Sequence, residues 1–254
     1  MRKLLASLVA IFLAAGSAWA ADPAGKVTIH WHGHSFFDLV TSKGTKIVFD
    51  PHAIENYGRQ EASADLVLIS HEHNDHTQTE VLKNAEKAKV IHGLKVNGNR
   101  LDWNRVDETF RDVHVQSVGT YHDHVSGAQY GKNTIFIVEV DGLRIVHLGD
   151  LGHLLNERAI KAIGQVDVLM IPVGGVYTLN GDQARKVVAQ LKPRMYILPM
   201  HYGIPKVYDD LLPVDEFVEE QKNVEKKTTN ALVVDPEAKP AAPTIVLLDW
   251  KNPQ

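Results

Sequence analysis

Residues 66–76 read LVLISHEHNDH, an apolar stretch that runs directly into three histidines, a glutamate and an aspartate. The first four residues have the pattern of a buried β-strand, and the polar residues after it would form a tight loop at the strand end. Imidazole and carboxylate groups are the ligands that zinc, iron and manganese take in proteins. The stretch therefore predicts a metal site, in preference to a solvated loop that is rich in histidine by chance.

The composition narrows the class of protein. The chain has 254 residues, a hydrophobic fraction of 44 %, a formal net charge of −4 and no cysteine. The lack of cysteine excludes disulfides, thiolate metal sites and a cysteine nucleophile. Because there is no excess of basic residues, we do not expect a nucleic-acid partner. We expect a small-molecule substrate instead. The sequence leaves the oligomeric state open.

The first residues have the pattern of a signal peptide. Arg2 and Lys3 precede an apolar run, and Ala18-Trp19-Ala20 fits a cleavage site with small residues at its first and third positions. The run is shorter than the roughly 20 residues of a membrane span. We therefore predict a signal peptide at 1–20 and one mature domain at 21–254, periplasmic or secreted, with no stable membrane anchor after cleavage. An uncleaved anchoring helix is the alternative.

Short runs rich in valine and isoleucine, bounded by turn residues, predict strands. They are Val27–Trp31, Ser35–Val40, Lys46–Phe49, Leu66–Ile69, Val90–His92, Val113–Val118, Thr134–Val140, Leu143–Leu148, Val166–Ile171, Tyr196–Pro199 and Thr244–Leu248. Helices are predicted after the capping box at Thr77–Glu80, after Asn156, at Gly181–Leu191 after Asn180, and at Asp215–Lys226. The polar stretch from Asn97 to Asp112 predicts a long loop.

The His-x-His-x-Asp-His motif after an apolar strand resembles that of the metallo-β-lactamase superfamily. Further segments follow in that family's order: Gly33-His34-Ser35, Phe49-Asp50-Pro51, Leu148-Gly149-Asp150, Ile171–Gly175 and Pro199–Gly203. Together they resemble the branch of metal-dependent hydrolases related to ascorbate-6-phosphate lactonase. The resemblance implies an α/β fold, a four-layer αββα sandwich with a two-metal centre at one edge.

The resemblance also implies the ligands of two divalent metal ions, with zinc expected and manganese or iron as alternatives. They are His71, His73 and His122 for the first ion, Asp75, His76 and His201 for the second, and Asp150 between the two. His124 is an alternative to His122, because both follow the same predicted strand.

Four other residues are expected to support the site. His34 and Asp50 would orient ligands, although Asp50 also fits a simple turn with Pro51. His30 and His32 alternate with His34 as on one face of a strand, and we expect them to be packing or rim residues. Tyr177 and Thr178 follow paired glycines and would offer hydroxyls to a substrate, although a plain loop before a helix explains the same residues.

The resulting hypothesis is an exported hydrolase that cleaves a small ester, lactone or phosphodiester. A hydroxide between two metal ions would attack, and Asp75 and Asp150 would be the catalytic carboxylates. Two alternatives use the same ligands: an iron-dependent redox enzyme and a non-catalytic periplasmic metal-binding protein.

Overall fold

The computed structural model describes residues 25–58 and 61–251. The predicted signal peptide at 1–20 and its cleavage site lie outside these residues. Among the helices of the described ranges, none has the combined length and apolar character that crossing a membrane requires.

The described chain is built mainly of strands. Their bounds are β1 Val27–Trp31, β2 Phe37–Val40, β3 Lys46–Phe49, β4 Leu66–Ile69, β5 Lys89–His92, β6 Leu94–Asn97, β7 Arg100–Trp103, β8 Asp107–Phe110, β9 Val113–Tyr121, β10 Lys132–Val140, β11 Leu143–His147, β12 Val168–Pro172, β13 Tyr196–Met200, β14 Val224–Lys226, β15 Ala231–Val234 and β16 Thr244–Leu247. The α-helices are α1 Glu157–Ile163, α2 Gly181–Leu191 and α3 Asp215–Val218.

Two sheets contain most of these strands. One has six strands in the order β15-β1-β2-β3-β4-β5, and the other has eight in the order β14-β16-β13-β12-β11-β10-β9-β8. Strands β6 and β7 form a separate antiparallel hairpin. One hydrophobic core contains Trp31 and Phe37 from the first sheet and Phe136 and Ile145 from the second, so apolar residues of both sheets pack together.

Helices α1 and α2 begin as predicted. The side chain of Asn156 accepts a hydrogen bond from Ala159 N, and Asn180 forms a capping box with Gln183. Ile163 and Val187 extend the core from these two helices. The expected α/β architecture, two packed β-sheets with helices against the core, is therefore confirmed.

The outer layer of the first sheet differs from a regular helical layer. Val48 and Val67 form a second apolar cluster with Leu82, and this cluster is covered by short 3-10 helices at Thr79–Val81 and Ala85–Lys87. The predicted α-helix after Thr77 was thus wrong. Gln78 N instead donates to Pro51 O at 2.9 Å, so tertiary contacts occupy the backbone groups of the predicted first turn.

Two other local predictions were wrong. The predicted loop from Asn97 to Asp112 contains β7 and β8, because β7 closes a hairpin on β6 and β8 pairs with β9. The predicted helix Asp215–Lys226 stops at Val218, and Val224–Lys226 pairs in parallel with β16. In both segments, pairing with a neighbouring strand determines the secondary structure. The local sequence does not show that this pairing occurs.

The direction of the strands explains where the candidate site lies. Strands β9 and β11 are both antiparallel to β10, and β11, β12 and β13 are parallel, so these four strands end at the same edge. In the first sheet, β3 is parallel to β4, and β1 points the same way because both β1 and β3 are antiparallel to β2. The residues that follow the ends of these strands can therefore lie close to one another.

Candidate metal centre

The Asp150 carboxylate lies at the centre of a buried cluster of histidines. Its Oδ2 atom is 3.0 Å from Nε2 of His201, 3.1 Å from Nε2 of His122, 3.2 Å from Nε2 of His76 and 3.8 Å from Nε2 of His71. The backbone N–H of Asp150 donates to Asn133 Oδ1 at 3.0 Å, which fixes the turn after β11. One carboxylate oxygen thus faces imidazoles that come from both sheets.

Two groups of potential ligands flank Asp150. The first contains His71, His73 and His122, and the second contains His34, Asp75, His76 and His201. Within each group the ligand atoms lie within 4.8 Å of one another, which one cation can span. The structure therefore brings together all seven predicted ligands.

Four of these imidazoles have a buried ring nitrogen that makes no hydrogen bond within the described residues: Nδ1 of His34, Nδ1 of His201 and two atoms that face Asp150. These two atoms are Nε2 of His71 and Nε2 of His76. A buried polar atom without a partner is costly, so such atoms need an explanation. Since both atoms face Asp150, a cation bound between them and the carboxylate would use their lone pairs.

Protonation of the cluster is coupled to metal binding. Burial lowers the pKa of His71 well below its usual value, which keeps this ring neutral. Burial also opposes the charged form of Asp150, but the neighbouring His201 and His76 outweigh it and hold the pKa of Asp150 well below its usual value. The same carboxylate outweighs burial at His76 and His122 and raises the pKa of both rings, so a metal ion that binds here would displace protons from them.

Asp50 holds the ligand loop, as the resemblance implied. Its carboxylate accepts hydrogen bonds from Ser70 N at 2.7 Å, from Ser70 Oγ at 2.6 Å and from Nδ1 of His76 at 3.0 Å. Ser70 Oγ is also 2.9 Å from Nδ1 of His71. These contacts point the Nε2 atoms of both rings towards Asp150.

Within the second group, His34 contacts both Asp75 and His201. Its Nε2 atom lies 3.1 Å from Oδ2 of Asp75, and its ring centroid is 4.2 Å from that of His201. The prediction that His30, His32 and His34 share one strand face was wrong, because β1 ends at Trp31 and Gly33 adopts φ +93°. His30 and His32 instead both contact Asp38, on the neighbouring strand.

The predicted substrate loop lies beside the cluster, and it is strained. Val176 has φ +57°, a rare conformation for a β-branched residue, and such strain is common at functional sites. The carbonyl of Tyr177 is 3.2 Å from Nδ1 of His122, so the backbone of the loop supports a ligand. Thr178 is buried with its hydroxyl 3.5 Å from Leu179 O, which gives it a backbone partner.

Comparison with known proteins agrees with this geometry. Residues 28–201 match the family model of the beta-lactamase superfamily domain. A UPF0173 metal-dependent hydrolase of Thermoplasma acidophilum is 31% identical over 189 residues, which are 69% of this chain and 83% of the relative. The chain belongs to the metallo-β-lactamase superfamily. The finer resemblance, to ascorbate-6-phosphate lactonase, stays a prediction.

Further relatives extend this superfamily assignment over most of the chain. A UPF0173 metal-dependent hydrolase of Sulfurisphaera tokodaii is 28% identical and covers 82% of this chain and 96% of its own. A crystal structure of a metallo-β-lactamase superfamily protein from Thermotoga maritima has a TM-score of 0.67 and 32% identity, and the match covers 90% of this chain and 100% of that one. The chain is accordingly a metal-dependent hydrolase of this superfamily.

Within this metallo-β-lactamase-superfamily site, the structure distinguishes the two histidines that follow β9. His122 is buried and faces Asp150, whereas His124 is exposed. Between them lies Asp123, a residue that the sequence analysis did not single out. Its carboxylate accepts hydrogen bonds from four backbone N–H groups at 2.7–3.0 Å, those of Val125, Gly127, Gln129 and Tyr130.

Tyr208 is a second residue that the sequence analysis missed. Its ring centroid is 5.2 Å from that of His34. Burial, together with the nearby Asp75 carboxylate, raises the pKa of Tyr208 to about 12, so its phenol remains a hydrogen-bond donor at neutral pH. No motif marks this position, because only the fold of the segment after His201 brings Tyr208 to the site.

Proposed function

We propose that this protein uses a dinuclear metal centre to hydrolyse a small ester, lactone or phosphodiester. The observation that carries the proposal is the position of Asp150, whose Oδ2 atom is 3.0–3.8 Å from imidazole nitrogens of both ligand groups. A carboxylate placed between two cations offsets their mutual repulsion.

The residues divide naturally between two ions. His71, His73 and His122 would hold the first ion. Asp75, His76 and His201 would hold the second, and Asp150 would be shared. When bound, two divalent ions would lower the pKa of a bound water towards neutrality and polarise the oxygen of the group to be cleaved. Zinc is the metal that we expect, since it takes nitrogen and oxygen ligands of this kind.

Residues of the chain itself would orient the reactants. Asp75 is ionised, because hydrogen bonding from His34 outweighs burial and lowers its pKa far below the usual value. It therefore acts as an acceptor that can orient a water molecule, and His34 holds its Oδ2 atom in place. The protonated phenol of Tyr208 would donate a hydrogen bond to the oxygen on which negative charge develops.

The test is elemental analysis followed by a substrate panel. We expect about two zinc or manganese ions per chain and hydrolysis of at least one class among 4-nitrophenyl acetate, γ-butyrolactone and bis(4-nitrophenyl) phosphate. Asp150→Asn should lose metal and activity together, whereas the surface variant Asp235→Asn should keep both. One iron per chain with no hydrolysis would favour a redox enzyme, and full occupancy without turnover would favour a non-catalytic metal-binding protein.

We also propose that the protein is exported to the periplasm or secreted. The support is the signal-peptide pattern of residues 1–20. N-terminal sequencing of the protein from the fraction outside the cytoplasm should begin at Ala21. A chain that begins at Met1 and stays in the cytoplasm would contradict export.

A further inference from the structure

A cavity of about 410 Å³ opens directly beside the first ligand group. Its lining includes His71 and His73, the aromatic residue Tyr130, and Leu94, Arg100 and Leu101 of the β6–β7 hairpin. We call this cavity the hairpin cleft. Its volume falls in the range of small-molecule sites, and its position gives a substrate access to the metal ligands.

The hairpin wall is held firmly at its base. Nε1 of Trp103 is 3.0 Å from both Thr120 O and Asn133 O. The indole of Trp103 fills the space over Gly119, where a Cβ atom would come within 2.6 Å of the ring. Since Arg100 is in the same strand as Trp103, its backbone position is fixed relative to the cleft.

The charged residues of the hairpin cleft are paired, with one exception. Lys132 Nζ is 2.9 Å from Asp102 Oδ1, and Glu72 Oε1 is 2.9 Å from Nδ1 of His92. Arg100 is exposed and makes no ion pair within the part of the chain that the structure describes. Its guanidinium is therefore free to bind an anion, and its planar geometry suits a carboxylate or a phosphate group.

The remaining lining favours an apolar body next to that anion. Leu94 and Leu101 supply aliphatic surface. Tyr130 adds an aromatic ring, whose centroid is 5.4 Å from that of His122, and its backbone N–H donates to Asp123 at 2.7 Å. Apolar and aromatic surface thus lines the same cleft as two metal ligands and Arg100.

We propose that the hairpin cleft binds an ester or lactone whose apolar chain ends in an anionic group, and that Arg100 binds this group. The inference rests on the proposed hydrolytic function and specifies its substrate class. Hydrolysis adds one water and breaks the acyl–oxygen bond to give an acid and an alcohol. Arg100 takes part in none of these bond changes, so it is a specificity-determining residue.

The first test compares two esters of similar length, 4-nitrophenyl hydrogen glutarate and neutral 4-nitrophenyl valerate. We expect Arg100→Gln to raise KM for the anionic ester about tenfold or more, to leave its kcat within about twofold, and to leave the neutral ester unaffected. Arg105→Gln is the matched control, because Arg105 is also exposed but lies outside the hairpin cleft. Equal effects of Arg100→Gln on both esters would overturn the proposal.

A binding measurement separates this inference from the proposed hydrolysis. Calorimetry with the metal-loaded protein would compare 5-phenylvalerate, 5-phenylvaleramide and 4-phenylbutylphosphonate. If neither ester is cleaved but Arg100→Gln weakens binding of an anionic probe tenfold, the anion site stands and the hydrolytic function fails. The anionic probe that binds with the higher affinity shows whether the site prefers a carboxylate or a phosphate-like group. Binding that is absent, or unchanged in Arg100→Gln, would refute the site.

Discussion

The carboxylate of Asp50 is 3.0 Å from Nδ1 of His76, and this hydrogen bond joins the end of β3 to a candidate metal ligand. Asp50 has φ +43°, in the left-handed region, as do His34 at φ +49° and His201 at φ +50°. Three residues of the site therefore occupy a backbone conformation that is uncommon outside glycine. Such strain persists where surrounding contacts hold it. Here Asp50 contacts His76, His34 contacts Asp75 and His201 faces Asp150.

Asp50→Asn should weaken metal binding without removing a ligand. The amide cannot accept all three hydrogen bonds that the carboxylate accepts, so His76 and Ser70 lose part of their orientation. We expect metal affinity to fall about 10- to 100-fold, as measured by competition with a chelator. Asp141→Asn is the matched control, since Asp141 also has a positive φ of +51° but binds Ser42 in a remote turn. Equal losses in the two variants would contradict the role of Asp50.

His122→Ala and His124→Ala should differ sharply. His122 has its Nε2 atom 3.1 Å from Asp150, whereas His124 is exposed. Loss of a direct ligand should cost more than loss of its hydrogen-bond partner, so we expect metal affinity to fall more than about 100-fold in His122→Ala. His124→Ala should retain metal and activity. Elemental analysis after dialysis measures both, and a metal-free His124→Ala would reverse the assignment.

Tyr208→Phe should lower turnover while metal content stays the same. The variant removes only the phenolic hydroxyl, which is the group that we propose stabilises developing charge. We expect kcat to fall about 100-fold with a small change in KM, as for other lost donors of this kind. Tyr196→Phe, in β13 and away from the candidate ligands, serves as the control. Unchanged kcat in Tyr208→Phe would remove Tyr208 from the mechanism.

Asp38 should make folding stability depend on pH below about 4. Burial opposes its ionisation, but hydrogen bonds from His30 and His32 outweigh burial and lower the pKa of Asp38 to about 2. The folded pKa lies below the unfolded one, so the stabilisation is present above pH 4 and is lost as the pH falls towards 2. It amounts to about 2–3 kcal/mol.

Urea unfolding of metal-free wild type and Asp38→Asn tests this dependence. The difference in unfolding free energy between the two proteins should be larger at pH 6 than at pH 2.5, by up to about 2 kcal/mol. Asp235→Asn, which breaks an exposed ion pair with Lys26, should show little change with pH. If the difference in unfolding free energy between wild type and Asp38→Asn is constant with pH, the Asp38 carboxylate titrates at its usual pKa, which would contradict the prediction.

The sequence predicted the strands well and several helical segments poorly. Runs such as Leu66–Ile69 are apolar along their whole length, so burial alone specifies them. The N-terminal ends of α1 and α2 were also predictable, because Asn156 and Asn180 cap them through local hydrogen bonds. The segment at Val224–Lys226 was not, since it becomes a strand only by pairing with β16.

By itself, the sequence determined the ligand chemistry. An apolar strand that ends in closely spaced histidines and an aspartate indicates a metal site, because these potential ligands all lie within residues 71–76. Family motifs also indicated the distant ligands Asp150 and His201, but tertiary structure alone decided which other residues lie near them. Burial of His122 rather than His124, the approach of Tyr208 to His34, and the lining of one cavity by Arg100 and His73 all depend on how separate strand ends and loops meet. Contacts between residues far apart in the chain follow from packing and strand pairing, and no local pattern encodes them.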